Sequence, residues 1–216
     1  MSTKTTFIIS TFLIGIAIIV GAALWNQLPD QMASHWNVND QVDGTTPKVW
    51  GVFMMPLVTL GLMVLFLVVP NIDPLKANIA QFRDTFNIFI VLIIAFMLYI
   101  HGLTLVWSLG FTNFKMSTAM LPFMGVLFIA IGFLLRKAKR NFFIGIRTPW
   151  TLSSDYVWDK THQLGATLFM ASGALAIIGG FFGGMTSFWF LFVPLMGSSL
   201  FLVIYSYVLY RNETRS

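Results

Sequence analysis

Six apolar runs, each long enough to cross a lipid bilayer, constrain this chain more than any other feature. A transmembrane helix needs about 20 apolar residues to cross about 30 Å of hydrocarbon, and none of the six contains Lys, Arg, Asp or Glu. They are Phe7 to Leu24, Gly51 to Pro70, Phe86 to Leu109, Ser117 to Leu135, Gly165 to Phe182 and Ser187 to Tyr210. We therefore predict an all-α polytopic membrane protein whose six transmembrane helices form three hairpins, in a single integral membrane domain over residues 1–216.

The composition excludes a soluble enzyme and any chemistry that depends on cysteine. The chain is 57% hydrophobic and 10% charged, whereas a soluble domain is about 25% charged. It contains no cysteine, which removes disulfides, thiol nucleophiles and thiolate metal ligands. The net charge of +5 indicates basic loops beside anionic lipid rather than contact with nucleic acid.

The basic residues are distributed very unevenly between the two sets of loops. If the N-terminus is cytoplasmic, eleven of the 13 lysines and arginines fall on the inner side and two, Lys48 and Lys115, on the outer side. Short cytoplasmic loops carry such an excess of Lys and Arg. This pattern predicts a membrane protein with both termini in the cytoplasm.

Prolines lie near the outer ends of the helices that run inward, at Pro56, Pro122 and Pro194. One interpretation is that proline and glycine are simply frequent in transmembrane helices. The other is that three proline bends splay the outer ends apart and open a cavity to the outside. The fifth run is rich in Gly and Ala, which predicts close packing against its neighbours.

The first outer loop, between Trp25 and Trp50, is polar and long for a simple connection. Asp43-Gly44 and Pro29-Asp30 predict turns within a compact loop. Its candidates for contact with an extracellular ligand are His35, Trp36, Asn37 and Asp43, with Trp36 favoured as an exposed aromatic. The stretch faintly resembles a calcium loop but lacks the final bidentate Glu, so we expect neither a metal nor another cofactor.

The inner loop after the fourth run begins with the basic cluster RKAKR, which favours anionic lipid headgroups. Thr148-Pro149 stops a helix, and Ser153 or Ser154 then caps a helix that leads into the fifth span. The aromatic side chains of Trp150, Tyr156 and Trp158 are predicted at headgroup level.

Two histidines raise the question of catalysis. His162 is an acid–base candidate that Asp155 or Asp159 would orient, but such pairs on an interfacial helix usually have a structural role. His101 lies within the third span, where a neutral histidine that bonds a neighbouring helix is the common outcome. We expect no catalytic residues and no enzymatic activity. The absence of carboxylates from the spans disfavours ion-coupled transport.

Both loops resemble a known family. The stretch from Leu28 to Gly44 is similar to the DUF1648 pattern, an LP pair followed by His, an aromatic, Asn and Asp, although that pattern often has Gly where Asp40 or Gln41 stands here. The inner loop closely resembles the SdpI family signature. The DUF1648-like region is about 7–70 and the SdpI-like region about 117–210. The matching inner residues, which are our cytoplasmic motif candidates, are Asn141, Gly145, Arg147, Thr148, Pro149, Trp150, Trp158, Thr161 and His162.

The resemblance implies an immunity protein that protects a bacterium from a secreted, membrane-active peptide toxin. It also implies that the protein can capture a winged-helix repressor at the membrane and so act in signal transduction. The partners would then be a peptide toxin outside, membrane lipids, and a repressor inside, with no direct nucleic-acid contact. A channel or exporter for a small hydrophobic molecule or peptide, and a membrane-embedded enzyme, stay open as alternatives.

Overall fold

The computed structural model describes residues 1–215, which contain six helices long and apolar enough to cross a membrane. Each begins between one and ten residues before the apolar run predicted for it. The six are α1 (Thr3–Ala23), α2 (Lys48–Ile72), α4 (Arg83–Ser108), α5 (Met116–Lys137), α7 (Asp155–Gly179) and α8 (Gly184–Glu213). Two short helices, α3 (Lys76–Ala80) and α6 (Pro149–Ser153), lie in connections. The predicted all-α, six-span architecture is confirmed.

The helices pack as two groups of three. The first group is α1, α2 and α4, and the second is α5, α7 and α8, with α4 and α5 in contact between them. The α5–α7 pair packs most closely: a Cβ atom built on Gly125 would lie 2.5 Å from the carbonyl oxygen of Gly173, and one built on Gly173 would lie 2.5 Å from that of Gly125. The small residues of the fifth span therefore bring two backbones together, as predicted.

The bundle has two distinct ends. The connection between α1 and α2 forms a β-hairpin, and we call its end of the molecule the hairpin end. The opposite end carries residues 138–154, the motif loop, and we call it the motif end. Met1 and the end of α8 lie there, because the Asn87 amide donates to the Met1 carbonyl at 3.0 Å and the Ser154 hydroxyl donates to Glu213 at 3.0 Å.

The hairpin is the main departure from the prediction. Strands β1 (Gln31–Trp36) and β2 (Val42–Pro47) pair antiparallel, with irregular register around His35. The turn predicted at Asp43-Gly44 is wrong, since both residues lie within β2. The chain reverses instead over residues 37–41, where the Asn37 side-chain oxygen accepts from the backbone N–H groups of Asn39 and Gln41 at 2.9 and 3.0 Å.

Two apolar clusters hold these parts in place. Under the hairpin, Met32 of β1 is fully buried against Leu28, Val52 and Leu105. This contact fixes which face of the hairpin meets the helices. The larger cluster joins both helix groups at the motif end. It consists of Ile14, Met63, Ile79, Phe82, Phe86, Ile90, Ile94, Leu134, Ala138, Ile144 and Trp158.

Candidate functional site

A cavity of about 540 Å³ lies between the hairpin and the helix ends beneath it. Its walls come from β1 and the hairpin turn, and from α2, α4, α5 and α8. It lies beside the three prolines noted in the sequence, because Met55 and Leu121 directly precede Pro56 and Pro122, and Leu191 precedes Pro194 by three residues. Its volume is within the range of about 300–1,000 Å³ that is typical of ligand sites.

The helical walls of the cavity are apolar and rich in methionine. Met116, Met120 and Met124 succeed one another at four-residue spacing along one face of α5, and Met55 joins them from α2. Methionine has three rotatable bonds and a polarizable sulfur, so it adapts to ligands of irregular shape. The sequence analysis did not single out these residues, although the four-residue spacing was a usable signal.

The predicted outer candidates are distributed between this cavity and the hairpin surface. His35 and Asn37 line the cavity. Asp43 pairs with His35 at 2.5 Å and holds its ring. Asn37 has a structural role as well, since it shapes the turn. These three residues and Trp36 are therefore close in space.

Trp36 differs from the exposed contact residue that we expected. It is partly buried and lines the cavity. Its ring meets that of Trp107 edge-on, with centroids 5.6 Å apart, and Trp107 meets Phe114 in the same way at 5.4 Å. Trp36 therefore joins the hairpin to the end of α4 and forms a wall of the cavity.

Asp40 and Ser117 form a contact that the sequence analysis missed. The Asp40 carboxylate accepts from the backbone N–H and from the hydroxyl of Ser117, both at 2.7 Å. The Ser117 hydroxyl oxygen also accepts from the N–H of Gly184 at 3.3 Å. The hairpin turn is thereby tied to the first turns of both α5 and α8.

At the motif end, Asn141 organises the motif loop. It is fully buried, and its amide nitrogen donates to the carbonyls of Lys139 and Ile144, both at 2.8 Å. Its side-chain oxygen accepts from the N–H groups of Phe143 and Ile144 at 2.9 and 2.6 Å. An amide with two donors and an acceptor oxygen satisfies all four of these groups, which explains the residue type.

Gly145, Trp158 and His162 form one packed unit. The His162 ring stacks on Trp158 with centroids 3.9 Å apart, and its Nδ1 lies 2.8 Å from the Trp158 carbonyl. Its Nε2 accepts from the N–H of Ile146 at 2.9 Å. Gly145 has φ +120°, and a Cβ there would lie 2.4 Å from Nε2. Both ring nitrogens therefore hold the backbone, which is a structural role.

The interfacial position predicted for Trp158 is wrong. Its side chain is fully buried, and its indole N–H donates to the Ala138 carbonyl at 3.0 Å.

The two aspartates considered as partners of His162 pair with the basic cluster and not with the histidine. Asp155 pairs with Arg140 at 2.7 Å and Asp159 with Lys139 at 3.8 Å. These pairs fasten the cluster to the first turns of α7.

The other motif residues build the start of α6 and its contacts. Thr148 caps α6 in a reciprocal pair with Thr151, and Pro149 is the first residue of that helix, a favoured position for proline. Thr148 also bonds the Ser206 hydroxyl at 3.1 Å. The guanidinium of Arg147 donates to the Phe142 carbonyl at 2.8 Å.

Trp150 and Thr161 complete the motif. Trp150 packs on Tyr207 of α8 with centroids 5.1 Å apart. Thr161 is fully buried in α7 beside His162, and its hydroxyl has no hydrogen-bond partner within residues 1–215. The motif is thus spread over the packing contacts of α6, α7 and α8 with the loop.

Asp73, also missed from the sequence, joins the motif loop to the first helix group. Its buried carboxylate accepts from the N–H of Leu75 at 2.6 Å and from that of Phe142 at 2.9 Å. Nearby, the Asn78 amide donates to the Arg140 carbonyl at 2.8 Å. The connection between α2 and α4 therefore supports the motif loop directly.

His101 lies apart from both regions. It is 3% exposed within α4, and its Nε2 has no hydrogen-bond partner in the described part of the chain. The bond to a neighbouring helix that we expected for this nitrogen is therefore not formed. Residues 1–215 contain no group of three or more His, Asp or Glu residues that could hold a metal ion.

Comparisons with known proteins match both regions. Residues 12–60, which include the hairpin, match a domain of unknown function, DUF1648, and residues 137–206, which include the motif loop, match the SdpI/YfhL protein family. Immunity protein SdpI of Bacillus subtilis (strain 168) is 26% identical over 179 residues, which are 82% of this chain and 82% of that protein. No solved structure matches the chain. The predicted resemblance is therefore confirmed: the chain carries a DUF1648 segment followed by an SdpI/YfhL family segment.

Proposed function

We propose that this chain is an immunity protein of the bacterial plasma membrane that protects its cell from a secreted, membrane-active peptide toxin. The observation that carries the proposal is the relation to immunity protein SdpI, which extends over 82% of both chains. A ligand-sized cavity between the hairpin of the DUF1648 segment and the other helices supports it further, because immunity by capture requires a place to hold the toxin.

The orientation that we propose has the hairpin end outside and the motif end in the cytoplasm. Lys48 and Lys115, the two basic residues expected outside, lie at the hairpin end, where Lys48 pairs with Asp30 at 3.2 Å. The motif end carries the RKAKR cluster, Met1 and the end of α8. Basic residues concentrate on the cytoplasmic side of membrane proteins, which supports this orientation.

The toxin contact that we propose is an apolar segment of the peptide inside the cavity. Four methionines, with Phe188 and Leu191 of α8, offer an adaptable apolar lining. A peptide that acts on membranes has to expose apolar side chains to lipid, so the same side chains suit this lining. Capture in the cavity would withdraw the peptide from the membrane.

The test is protection of a susceptible bacterium that expresses the chain and is challenged with medium from a dense culture of the source organism. Expression of the parent chain is expected to raise survival. Met120→Trp, which fills the cavity, is expected to abolish that protection. Met54→Trp is the matched control, because Met54 is an exposed methionine of α2 outside the cavity lining. Equal membrane levels are checked by immunoblot; full protection by Met120→Trp would contradict capture in the cavity.

We further propose that the motif end receives the winged-helix repressor that the resemblance implies. The side chains of Phe142 and Phe143 are exposed next to the basic cluster, and Arg147 holds the Phe142 carbonyl. The readout is the membrane-bound fraction of a fluorescent winged-helix repressor encoded beside the gene. Arg147→Ala is expected to reduce that fraction, and an unchanged fraction at equal protein level would contradict this role.

A further inference from the structure

The hairpin turn is tied down by one carboxylate, and we propose that this carboxylate is also the counter-ion site for a cationic side chain of the captured peptide. The hairpin would then be a lid, and Asp40 a latch that exchanges its bonds to Ser117 for a bond to the ligand. This inference rests on the proposed capture of a peptide in the cavity and names the chemistry of the peptide segment: apolar residues with one Arg or Lys.

The position of the hairpin fits a lid. Six of its residues, from Ser34 to Asp40, line the cavity from one side, and helix ends line it from the other. The turn contacts the helices through Asp40, whose bonds reach Ser117 and, through the Ser117 hydroxyl, Gly184. Loss of this contact would free the turn, residues 37–41, to swing away from the cavity mouth, while the Met32 cluster and the contact of Trp36 with Trp107 hold the strands of the hairpin.

The backbone at Asp40 is unusual for this residue type. Its φ is +61°, the one positive value at a non-glycine residue within residues 1–215. Aspartate tolerates this left-handed conformation less well than glycine. A glycine at this turn would adopt the same angle without strain but would have no side chain to reach Ser117. The carboxylate, with its two bonds to Ser117, is therefore what an aspartate adds at this position.

The charge of Asp40 lacks a counter-ion. Among residues 1–215, Asp30 pairs with Lys48 and Asp43 with His35, whereas Asp40 forms no salt bridge and has only neutral donors. The carboxylate lines a cavity whose other walls are largely apolar. A peptide with an apolar segment followed by a cationic side chain would place the apolar segment among the methionines. The cationic side chain would then lie against Asp40, where its charge-assisted hydrogen bonds replace those that Ser117 donates.

The experiment uses the absence of native cysteine for spin labelling. Asn39→Cys places a label at the hairpin turn and Ser153→Cys places one at the motif end, about 33 Å away along the 22 residues of α5 at 1.5 Å per residue. The purified protein is placed in phosphatidylcholine nanodiscs, and pulsed EPR measures the distance distribution. The probes are acetyl-Leu-Leu-Gly-Leu-Arg-amide and the same peptide with citrulline, which has a similar shape and no charge.

The parent is expected to show a saturable change in the label distance, with the Arg peptide effective at a concentration about tenfold lower than the citrulline peptide. Asp40→Asn is expected to broaden the distance distribution without peptide. It is also expected to bring the ratio of the effective concentrations of the citrulline and Arg peptides close to one. Ser117→Ala removes the hydroxyl bond to Asp40 and keeps the backbone N–H bond, so it is expected to broaden the distances less than Asp40→Asn and to keep the ratio, because the carboxylate stays. Asp30→Asn is the matched control at the base of the hairpin, because Asp30 lies outside the cavity lining, and it is expected to keep both properties of the parent.

An unchanged ratio in Asp40→Asn would overturn the counter-ion role. Unchanged distances in both Asp40→Asn and Ser117→Ala would overturn the latch. Circular dichroism of each variant confirms that the helices are intact. Since the measurement uses purified protein and synthetic peptides, its failure alongside intact protection in cells would remove this inference and leave the proposed function standing.

Discussion

At the scale of single residues, the motif loop is held by side chains that bond the backbone rather than by side chains that face solvent. Asn141 satisfies four backbone groups, and His162 holds both Ile146 and Trp158. A buried backbone group that loses its partner costs about 1–3 kcal/mol. The residue types of this loop are therefore explained by its folding, and its ligand contacts have to come from the side chains left exposed.

Gly145 provides the sharpest test of this packing. Gly145→Ala is expected to lower the free energy of unfolding in two ways. The first is the strain of a positive φ, about 1–3 kcal/mol; the second is displacement of the His162 ring, which leaves the Ile146 N–H unpaired. The measurement is the apparent Tm in detergent, followed by circular dichroism.

Gly110→Ala separates these two contributions. Gly110 also has a positive φ, +95°, but a Cβ there would have no atom within 4 Å. We expect Gly145→Ala to unfold about 4–8 °C below Gly110→Ala, as a further loss of about 2 kcal/mol would give in a chain of this size. Equal Tm values for the two variants would contradict the contact with His162.

The family resemblance singled out the residues of the motif loop, and the structure shows which backbone groups Asn141 and His162 hold. His162 was identified as an acid–base candidate, and an aspartate three residues before it on the same helix made that plausible. In the structure both aspartates form ion pairs with the basic cluster, and the imidazole accepts a hydrogen bond from the N–H of Ile146. A bond between residues 16 positions apart depends on the path of the loop, which one-dimensional spacing does not contain.

At the scale of elements, α5 and α7 make the closest helix contact in the bundle. Gly125 and Gly132 of α5 face Gly173 and Ala166 of α7, with the carbonyl oxygens of one helix directly above the glycines of the other. Such contacts let helices associate in lipid, where no hydrophobic effect drives them together. The Gly- and Ala-rich composition of the fifth run was sufficient to predict this packing.

Gly173→Ala is expected to destabilise the bundle, because the added methyl group would lie 2.5 Å from the Gly125 oxygen and force the helices apart. Overpacking of this kind costs about 1–3 kcal/mol. Gly61→Ala is the control: nothing lies within 4 Å of its Cβ position, so the higher helix propensity of alanine, worth up to about 1 kcal/mol, is expected to leave stability equal or higher. The readout is the apparent Tm, and a stabilised Gly173→Ala would contradict the close approach.

The hairpin shows why an element can escape prediction. Its strands are six residues each and mostly polar, with Met32 and Ala33 as the buried members of β1. Strict alternation of apolar and polar residues, the usual sign of a strand, is absent. The strands are held in place because Met32 packs into an apolar cluster at the helix ends, which is a tertiary contact.

At the scale of the whole molecule, the fold places the hairpin and the motif loop at opposite ends of the bundle. This arrangement was predictable from six spans and the distribution of basic residues. The cavity was one of two open interpretations of the prolines, since the sequence does not show whether neighbouring helices fill the space beside each proline. Its methionine lining depends on the rotation of α5 within the bundle, which hydropathy alone leaves undetermined.

The proposed orientation predicts opposite labelling of two single-cysteine variants. In intact cells, a membrane-impermeant maleimide is expected to label Thr45→Cys on the exposed side of the hairpin and to leave Ser153→Cys unlabelled until the cells are permeabilised. The cysteine-free parent gives the background. Labelling of both positions in intact cells would refute the orientation.

The course of α5 has a mechanical consequence. Its first turn holds the hairpin through Ser117, its next two turns line the cavity, and its last turn leads directly into the motif loop at Ala138. Its flank is pressed against α7, whose first turns carry Trp158 and His162. If a ligand in the cavity shifted α5 along its whole length, it would also move the Ala138 carbonyl, which accepts from the indole N–H of Trp158.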